Sequence, residues 1–254
     1  MKKGPSKMLT IILSILAVGL LGCLITWGVI SYLGRSQTLT VKSIENPSSD
    51  LYFIHLTKPK NMTWKAGSYA KITLPEVKES AQKSRRLTIA SNPDDNEILI
   101  LTHNSSSTFK KTLTSLPVGS KVEVSWLEST LKIQNDDSPL VCFASDVGIA
   151  AMRPIVKEWV GKRDLILNHL DKGVTVFDKE LYRLDQQDSK LTYDSSASLS
   201  QSKESLKKVV DKYGNKATYL LAGQPDDVEA MKKFLADKGI DIKQLKTEKF
   251  NGLK

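Results

Sequence analysis

The stretch Arg85-Arg86-Leu87-Thr88 is the part of this sequence best equipped for chemistry. A guanidinium can pair two hydrogen bonds with a phosphate, and a hydroxyl can both donate and accept, so the types suit anion binding beside a proton-handling group. A second polar run, Asn104-Ser105-Ser106-Ser107-Thr108, precedes a helix-like segment at 108–115. With Ser107 or Thr108 as its cap, that turn offers backbone N–H groups to an anion. A third stretch, Ser145-Asp146-Val147-Gly148-Ile149, follows an apolar run at 139–144 and reads as a strand-to-helix turn. Other chemistries find no support. No paired catalytic carboxylates, no Ser–His–Asp order and no metal-ligand spacing can be assembled, so no metal is expected. Cys23 and Cys142 are far apart and have no His or Cys at ligand spacing. Glu248 and Asp146 stand as isolated acids, His169 is expected in a loop, and His55 and His103 fall in strands without an assigned role.

The elements that must position these residues divide into two patterns. From 38 to 133, short β-rich runs at 39–43, 51–56, 69–74, 86–90, 97–102 and 121–125 are separated by turn residues, which predicts a small antiparallel barrel. If 86–90 is a regular strand, Arg85, Leu87 and Ser91 share one face, and Arg86, Thr88 and Ala90 the other. After a polar run at 134–138 the pattern becomes strand 139–144, helix 148–160, strand 164–168, helices 176–184 and 200–213, strand 217–222, helix 225–238 and strand 244–247. Such alternation predicts an open, mostly parallel α/β sheet. The expected division is an anchor at 1–35, a barrel domain at 36–135 and an α/β domain at 136–254.

The anchor is read from residues 8–33, which hold no Asp, Glu, Lys, Arg or His. At about 1.5 Å per residue such a helix covers a bilayer core of about 30 Å. A cleaved signal peptide is disfavoured because its apolar region is usually about 7–15 residues long. Leu20-Leu21-Gly22-Cys23 resembles a lipoprotein cleavage site, but the apolar run continues past Cys23. Three lysines precede the span, whereas Arg35 and Lys42 follow it, a bias that places the N-terminus inside and the remainder outside the cell. Trp27 and Tyr32 fit an interfacial belt. The net charge is +9, from 37 basic and 28 acidic residues. Lys2, Lys3, Lys7 and Arg35 flank the span and no acid precedes Glu45, so the rest of the chain is only modestly basic. Without clustered cations and interleaved aromatics, no nucleic-acid partner is expected.

Three motifs occur in a telling order. Trp64-Lys65-Ala66-Gly67-Ser68-Tyr69 resembles the opening of the flavin domain in the ferredoxin–NADP reductase-like family, and Arg85-Arg86-Leu87-Thr88 with its continuation to Pro93 resembles that family's flavin motif. Tyr219-Leu-Leu-Ala-Gly-Gln-Pro and Glu248-Lys-Phe-Asn-Gly252 are similar to its C-terminal segments. The resemblance implies bound FAD, with FMN as the alternative flavin, and an electron-transferring oxidoreductase. It implies that Arg85 meets the cofactor diphosphate, Leu87 lies against the flavin ring in place of the usual tyrosine, and the Thr88 hydroxyl meets the reducible N5 as the catalytic contact. Ile89 continues the motif, and Ser107 and Thr108 stand in the phosphate-binding turn.

The nicotinamide half departs from the family pattern. Gly148, Ile149 and Gly223 stand where the resemblance implies NAD(P)H binding, but Ser145 and Asp146 replace glycines there and Ala222 replaces a cysteine. A second negative charge about 4 Å from a phosphate costs about 4 kcal/mol at an effective dielectric of about 20. The expectation is therefore a membrane-anchored flavoprotein whose electrons come from a membrane or surface donor, with NAD(P)H doubtful as its reductant. Two rival readings remain: a cytoplasm-facing NAD(P)H-dependent reductase, and a non-catalytic tethered module on the same scaffold.

Overall fold

The computed structural model describes residues 7–33, 35–48, 50–78, 83–104 and 107–250. Helix α1, Lys7–Leu33, is followed by strand β1, Gln37–Ser48. Its segment Thr10–Ser31 has a mean hydropathy of 2.3 and is long and apolar enough to cross a membrane. The hydroxyls of Ser14 and Thr26 donate to the carbonyls of Thr10 and Gly22 at 2.9 and 2.8 Å, so these polar groups are satisfied within the helix.

Strands β1, β2 (Leu51–Thr57), β3 (Tyr69–Thr73), β4 (Ser84–Thr88), β5 (Glu97–His103) and β6 (Lys121–Glu128) form one antiparallel sheet in the order β4-β3-β6-β1-β2-β5. The sheet curls until its ends meet at a single bridge, Ile89 to Ile100, which closes the predicted barrel. Alternation explains the closure: Leu39, Val41, Ile54, Leu56, Ala70, Ile72, Val122 and Val124 point inward and are buried, with Phe109 and Leu113 of helix α2 (Thr108–Thr114) plugging the core. β4 starts two residues earlier than the sequence suggests. Ile89 and Ala90 leave its ladder with β3 because Ile89 enters the barrel core and Ala90 the core of the second half.

The second half is a five-stranded parallel sheet in the order β11-β10-β7-β8-β9, with β7 Leu140–Ser145, β8 Leu165–Leu170, β9 Leu191–Ser196, β10 Thr218–Gly223 and β11 Leu245–Lys249. Helices α3 (Ile149–Trp159), α4 (Asp178–Gln187), α5 (Leu199–Tyr213) and α6 (Pro225–Asp237) cover its two faces. β7 and β8 are buried at every position, which is why they read as unbroken apolar runs. Two expectations need correction. β9 was not foreseen, because Thr192, Asp194 and Ser195 dilute its apolar alternation at the sheet edge. His169 is not a loop residue: it lies in β8, fully buried, with Nε2 3.0 Å from the Asp146 carbonyl.

The connector between the sheets is held by Arg163. Its guanidinium, buried and 4.1 Å over the Trp159 ring, donates to the Gln134 and Ser138 carbonyls and to Asp136 at 3.0–3.2 Å.

Candidate functional site

β4 pairs with β3 along one side, Tyr69 opposite Thr88 and Ile72 opposite Arg85. Among the described residues no strand ladder occupies its other side below the Ile89 bridge. A cavity of about 430 Å³ opens along this seam, within the range of small-molecule sites. It wraps round the strand edge, so Arg85, Arg86, Leu87 and Thr88 all line it although they alternate between faces. Arg85 and Leu87 turn toward the barrel core, the guanidinium 6.0 Å over Phe109, while Arg86 stacks on Tyr69 at 5.5 Å. Leu101, Val147 and Phe250 add apolar walls, and Lys110, Thr130 and Glu248 add polar ones.

Thr88 and Thr130 both donate to one carboxylate, their hydroxyls lying 3.1 Å from Glu248 Oε1 and Oε2. Burial outweighs those two hydrogen bonds and pushes the Glu248 carboxyl up to about 7. A group that exchanges its proton near neutrality thus stands against the Thr88 hydroxyl. Sequence reasoning left Glu248 aside as an isolated acid. Its partner is 160 residues away, and only the docking of β11 beside the barrel joins them.

Lys110 was also overlooked. It is 6% exposed on α2, and burial lowers its pKa, opposed by the charge of Asp146 and assisted by that of Arg85. Arg85 and Lys110 are two of the four cationic side chains that line the cavity, with Arg86 and Lys249. Ser107 is the helix cap that the sequence suggested. The Ser107 hydroxyl caps α2 by accepting from the Lys110 N–H at 3.2 Å, and Thr108 opens the helix. Neither lines the cavity, and Ser105 and Ser106 lie outside the described residues. Ile89 is fully buried behind the seam.

The expected nicotinamide residues lie at the C-terminal edge of the parallel sheet, where α/β folds bind nucleotides. Gly148 and Gly223 are both required by packing. A Cβ on Gly148 would lie 2.3 Å from the Ala222 carbonyl oxygen, and one on Gly223 2.2 Å from that of Ser145. Ile149, the first residue of α3, is buried in the core. Asp146 takes a left-handed backbone at φ 58° and is 4% exposed. Its carboxylate meets His103 Nε2 at 2.6 Å and accepts from Gln224 Nε2 at 2.6 Å, while His103 Nδ1 meets Asp50 at 2.9 Å. Burial alone would raise the Asp146 pKa, but the His103 and Gln224 hydrogen bonds overcome it and hold the carboxyl below its usual value. The bond to Asp146 raises His103 above the ordinary imidazole value against the opposing effect of burial. Beyond Gln224, Lys172 Nζ donates to its Oε1 at 2.8 Å and pairs with Asp227 at 2.6 Å; Asp227 in turn accepts from Ser145. The edge is thus laced from β5 to α6 by the protein's own side chains.

Cys142 sits in β7, fully buried, and burial pushes its thiol up to about 12, which makes it inert at neutral pH. Among the described residues no group of His, Cys, Asp and Glu could hold a metal.

No protein-family model matches the chain, and no curated protein matches its sequence. Solved structures do. A cytochrome P450 reductase from Amycolatopsis is similar with a TM-score of 0.70 at 17% identity, over 87% of this chain and 72% of that one. A ferredoxin–NADP⁺ reductase from Neisseria gonorrhoeae with bound FAD and NADP is similar with a TM-score of 0.69 at 13% identity, over 85% of this chain and 98% of that one. The same coverage of this chain corresponds to only 28% of a self-sufficient P450 monooxygenase, at a TM-score of 0.66. The protein therefore has the two-sheet fold of ferredoxin–NADP reductase-like proteins, preceded by one apolar helix.

Proposed function

We propose that this protein is a single-pass membrane flavoprotein of the ferredoxin–NADP reductase-like type, passing electrons through FAD held along β4. The observation that carries this reading is that Arg85 and Thr88 line one cavity of ring-binding size together with Lys110 and Glu248. The donor set fits the cofactor: two cations for a diphosphate, an apolar side chain and apolar walls for a flat ring, and a hydroxyl beside a titrating carboxyl. Arg85 and Lys110 would hold the diphosphate, and Leu87 would pack against the ring. When bound, flavin supplies one- and two-electron redox chemistry. Thr88 and Glu248 serve the accompanying proton. With the carboxylate ionised, the Thr88 hydroxyl donates to Oε1 and its oxygen can accept a bond from the cavity; with Glu248 protonated, the carboxyl donates to Thr88 Oγ1 and that hydroxyl proton can point outward. Leu101, Val147 and Phe250 line the cavity beside this pair.

The proposed division is an anchor at 1–35, a flavin-binding barrel at 36–135 and an α/β domain at 136–254, with the soluble part outside the cell. Electrons would come from a membrane or surface donor, because the edge that should receive a nicotinamide dinucleotide is crossed by the Asp50–His103–Asp146–Gln224 chain. The test uses the full chain purified in detergent. A visible flavin spectrum, with FAD released on denaturation, is expected. Arg85→Ala should weaken FAD binding by at least about tenfold, the worth of one charge-assisted contact of about 1.5–3 kcal/mol. A colourless protein that takes up no flavin refutes the reading. Rapid anaerobic bleaching of the bound flavin by NADH or NADPH overturns the donor assignment alone.

A further inference from the structure

The register of the barrel places the cavity relative to α1. Only residues 34–36 separate Leu33 from Gln37, so about 14 Å of chain at most joins the helix to the barrel. β1 starts there and runs away from α1. Its partner β6 is antiparallel, with Gln37 opposite Val124, so residues 125–128 continue past Gln37 on the anchor side, where β6 approaches α1. Glu128 lies opposite Tyr69, and Tyr69 opposite Thr88. The rung that carries Thr88 therefore belongs to the anchor end of the barrel, about 10 Å across the sheet from β6 at about 4.8 Å per strand.

The same end has the character of an interface. A bulge in β6 puts Trp126 at φ 52°, partly exposed. Lys71 faces Arg86 across β3 and β4, and Lys65 is exposed just before β3. An indole at headgroup depth and cations near lipid phosphates both favour this orientation.

We propose that the barrel end bearing Tyr69, Lys71, Arg86 and Trp126 rests on the lipid headgroups, and that the redox partner of the cavity is a lipid-soluble quinone. This rests on the anchor and flavin readings above. The cavity combines the apolar walls a quinone ring needs with a carboxyl that can relay a proton. The exchange balances as reduced flavin anion, quinone and one proton giving oxidised flavin and quinol. A hydride equivalent leaves the flavin, and the extra proton comes from solvent by way of Glu248. A dinucleotide on the soluble side would meet the laced sheet edge instead.

The full chain, loaded with FAD, is placed in vesicles of phosphatidylcholine and phosphatidylglycerol. Contact is read without turnover: in a Cys23→Ala background, bimane is attached at Trp126→Cys or at Ser48→Cys, near the opposite end of β1, and quenched by nitroxide-labelled headgroups. Stronger quenching at 126 is expected, and equal quenching overturns the orientation. The flavin is then photoreduced anaerobically and reoxidised by a quinone with a long isoprenoid tail or by a water-soluble quinone sulfonate. Inserting four EAAAK repeats between Ser36 and Gln37 lifts the barrel by about 30 Å. That insertion should slow the tailed quinone by at least about tenfold through lost effective concentration, leaving the soluble one unchanged. An unchanged rate with the tailed quinone overturns the proposal, as does a tailed quinone that fails where the soluble one succeeds. A sample without a flavin spectrum marks failure of the flavin reading, and a chain that does not float with vesicles marks failure of the anchor.

Discussion

Replacing Glu248 with Gln tests the buried carboxyl without reference to any ligand. The carboxyl is raised from its ordinary value of 4.5 to about 7 by burial. In the folded protein it keeps its proton between those values while the unfolded chain has released it, so stability falls as pH rises through that window. Below pH 4.5 both states are protonated and nothing is lost; above about 7 the loss is complete. Two and a half units at about 1.4 kcal/mol each amount to about 3 kcal/mol. Glu248→Gln cannot ionise, but its amide gives up one of the two acceptors used by Thr88 and Thr130, at about 1 kcal/mol independent of pH. The variant should therefore be slightly less stable than the native chain at pH 4.5 and about 2 kcal/mol more stable at pH 8. At about 2–4 °C per kcal/mol, that is a melting difference of about 4–8 °C in detergent-solubilised, flavin-free protein. Parallel melting profiles across pH 4.5–8 would refute the argument, because they would mean that Glu248 is solvated and titrates as an ordinary surface acid.

Three further changes probe other parts of the structure. Gly148→Ala drives a methyl to 2.3 Å from the Ala222 carbonyl and should cost at least about 3 kcal/mol, read as a melting loss independent of any nucleotide. His103→Gln removes an imidazole held above its ordinary pKa of 6.5 by Asp146. The stabilisation it gives is full below 6.5 and fades as pH rises through the higher folded value, so the variant's deficit in melting temperature should be larger at pH 6 than at pH 9. Arg163→Ala leaves the Gln134 and Ser138 carbonyls without their donor and should lower stability by about 3 kcal/mol. Limited proteolysis should then cut within 134–138 faster than in the native chain.

Much of the fold was legible because its signals are local. β7 and β8 are covered on both faces and read as apolar runs, and the barrel strands alternate with clear turns between them. β9 escaped notice because its identity comes from tertiary hydrogen bonds, such as Asn168 Nδ2 to Ser196 Oγ at 2.8 Å, and not from periodicity. The site divided in the same way. Arg85, Leu87 and Thr88 lie on one short strand and announce themselves together, whereas Glu248 and His103 meet their partners across 160 and 43 residues. No spacing rule could have paired them. Asp146 is the instructive case: its charge was legible, but His103 and Gln224, which restrain it, were not. Gly148 and Gly223 add that close backbone contact demands glycine at these turns whatever binds there.

The seam along β4 also bears on how the protein is made. A barrel whose edge strands β4 and β5 meet at one bridge leaves a length of β4 able to recruit a foreign strand during synthesis, before any ligand has arrived. Two consecutive arginines at that position repel the same segment of another nascent copy, so Arg85, which would later grip a diphosphate, also helps to keep newly made chains from zipping together.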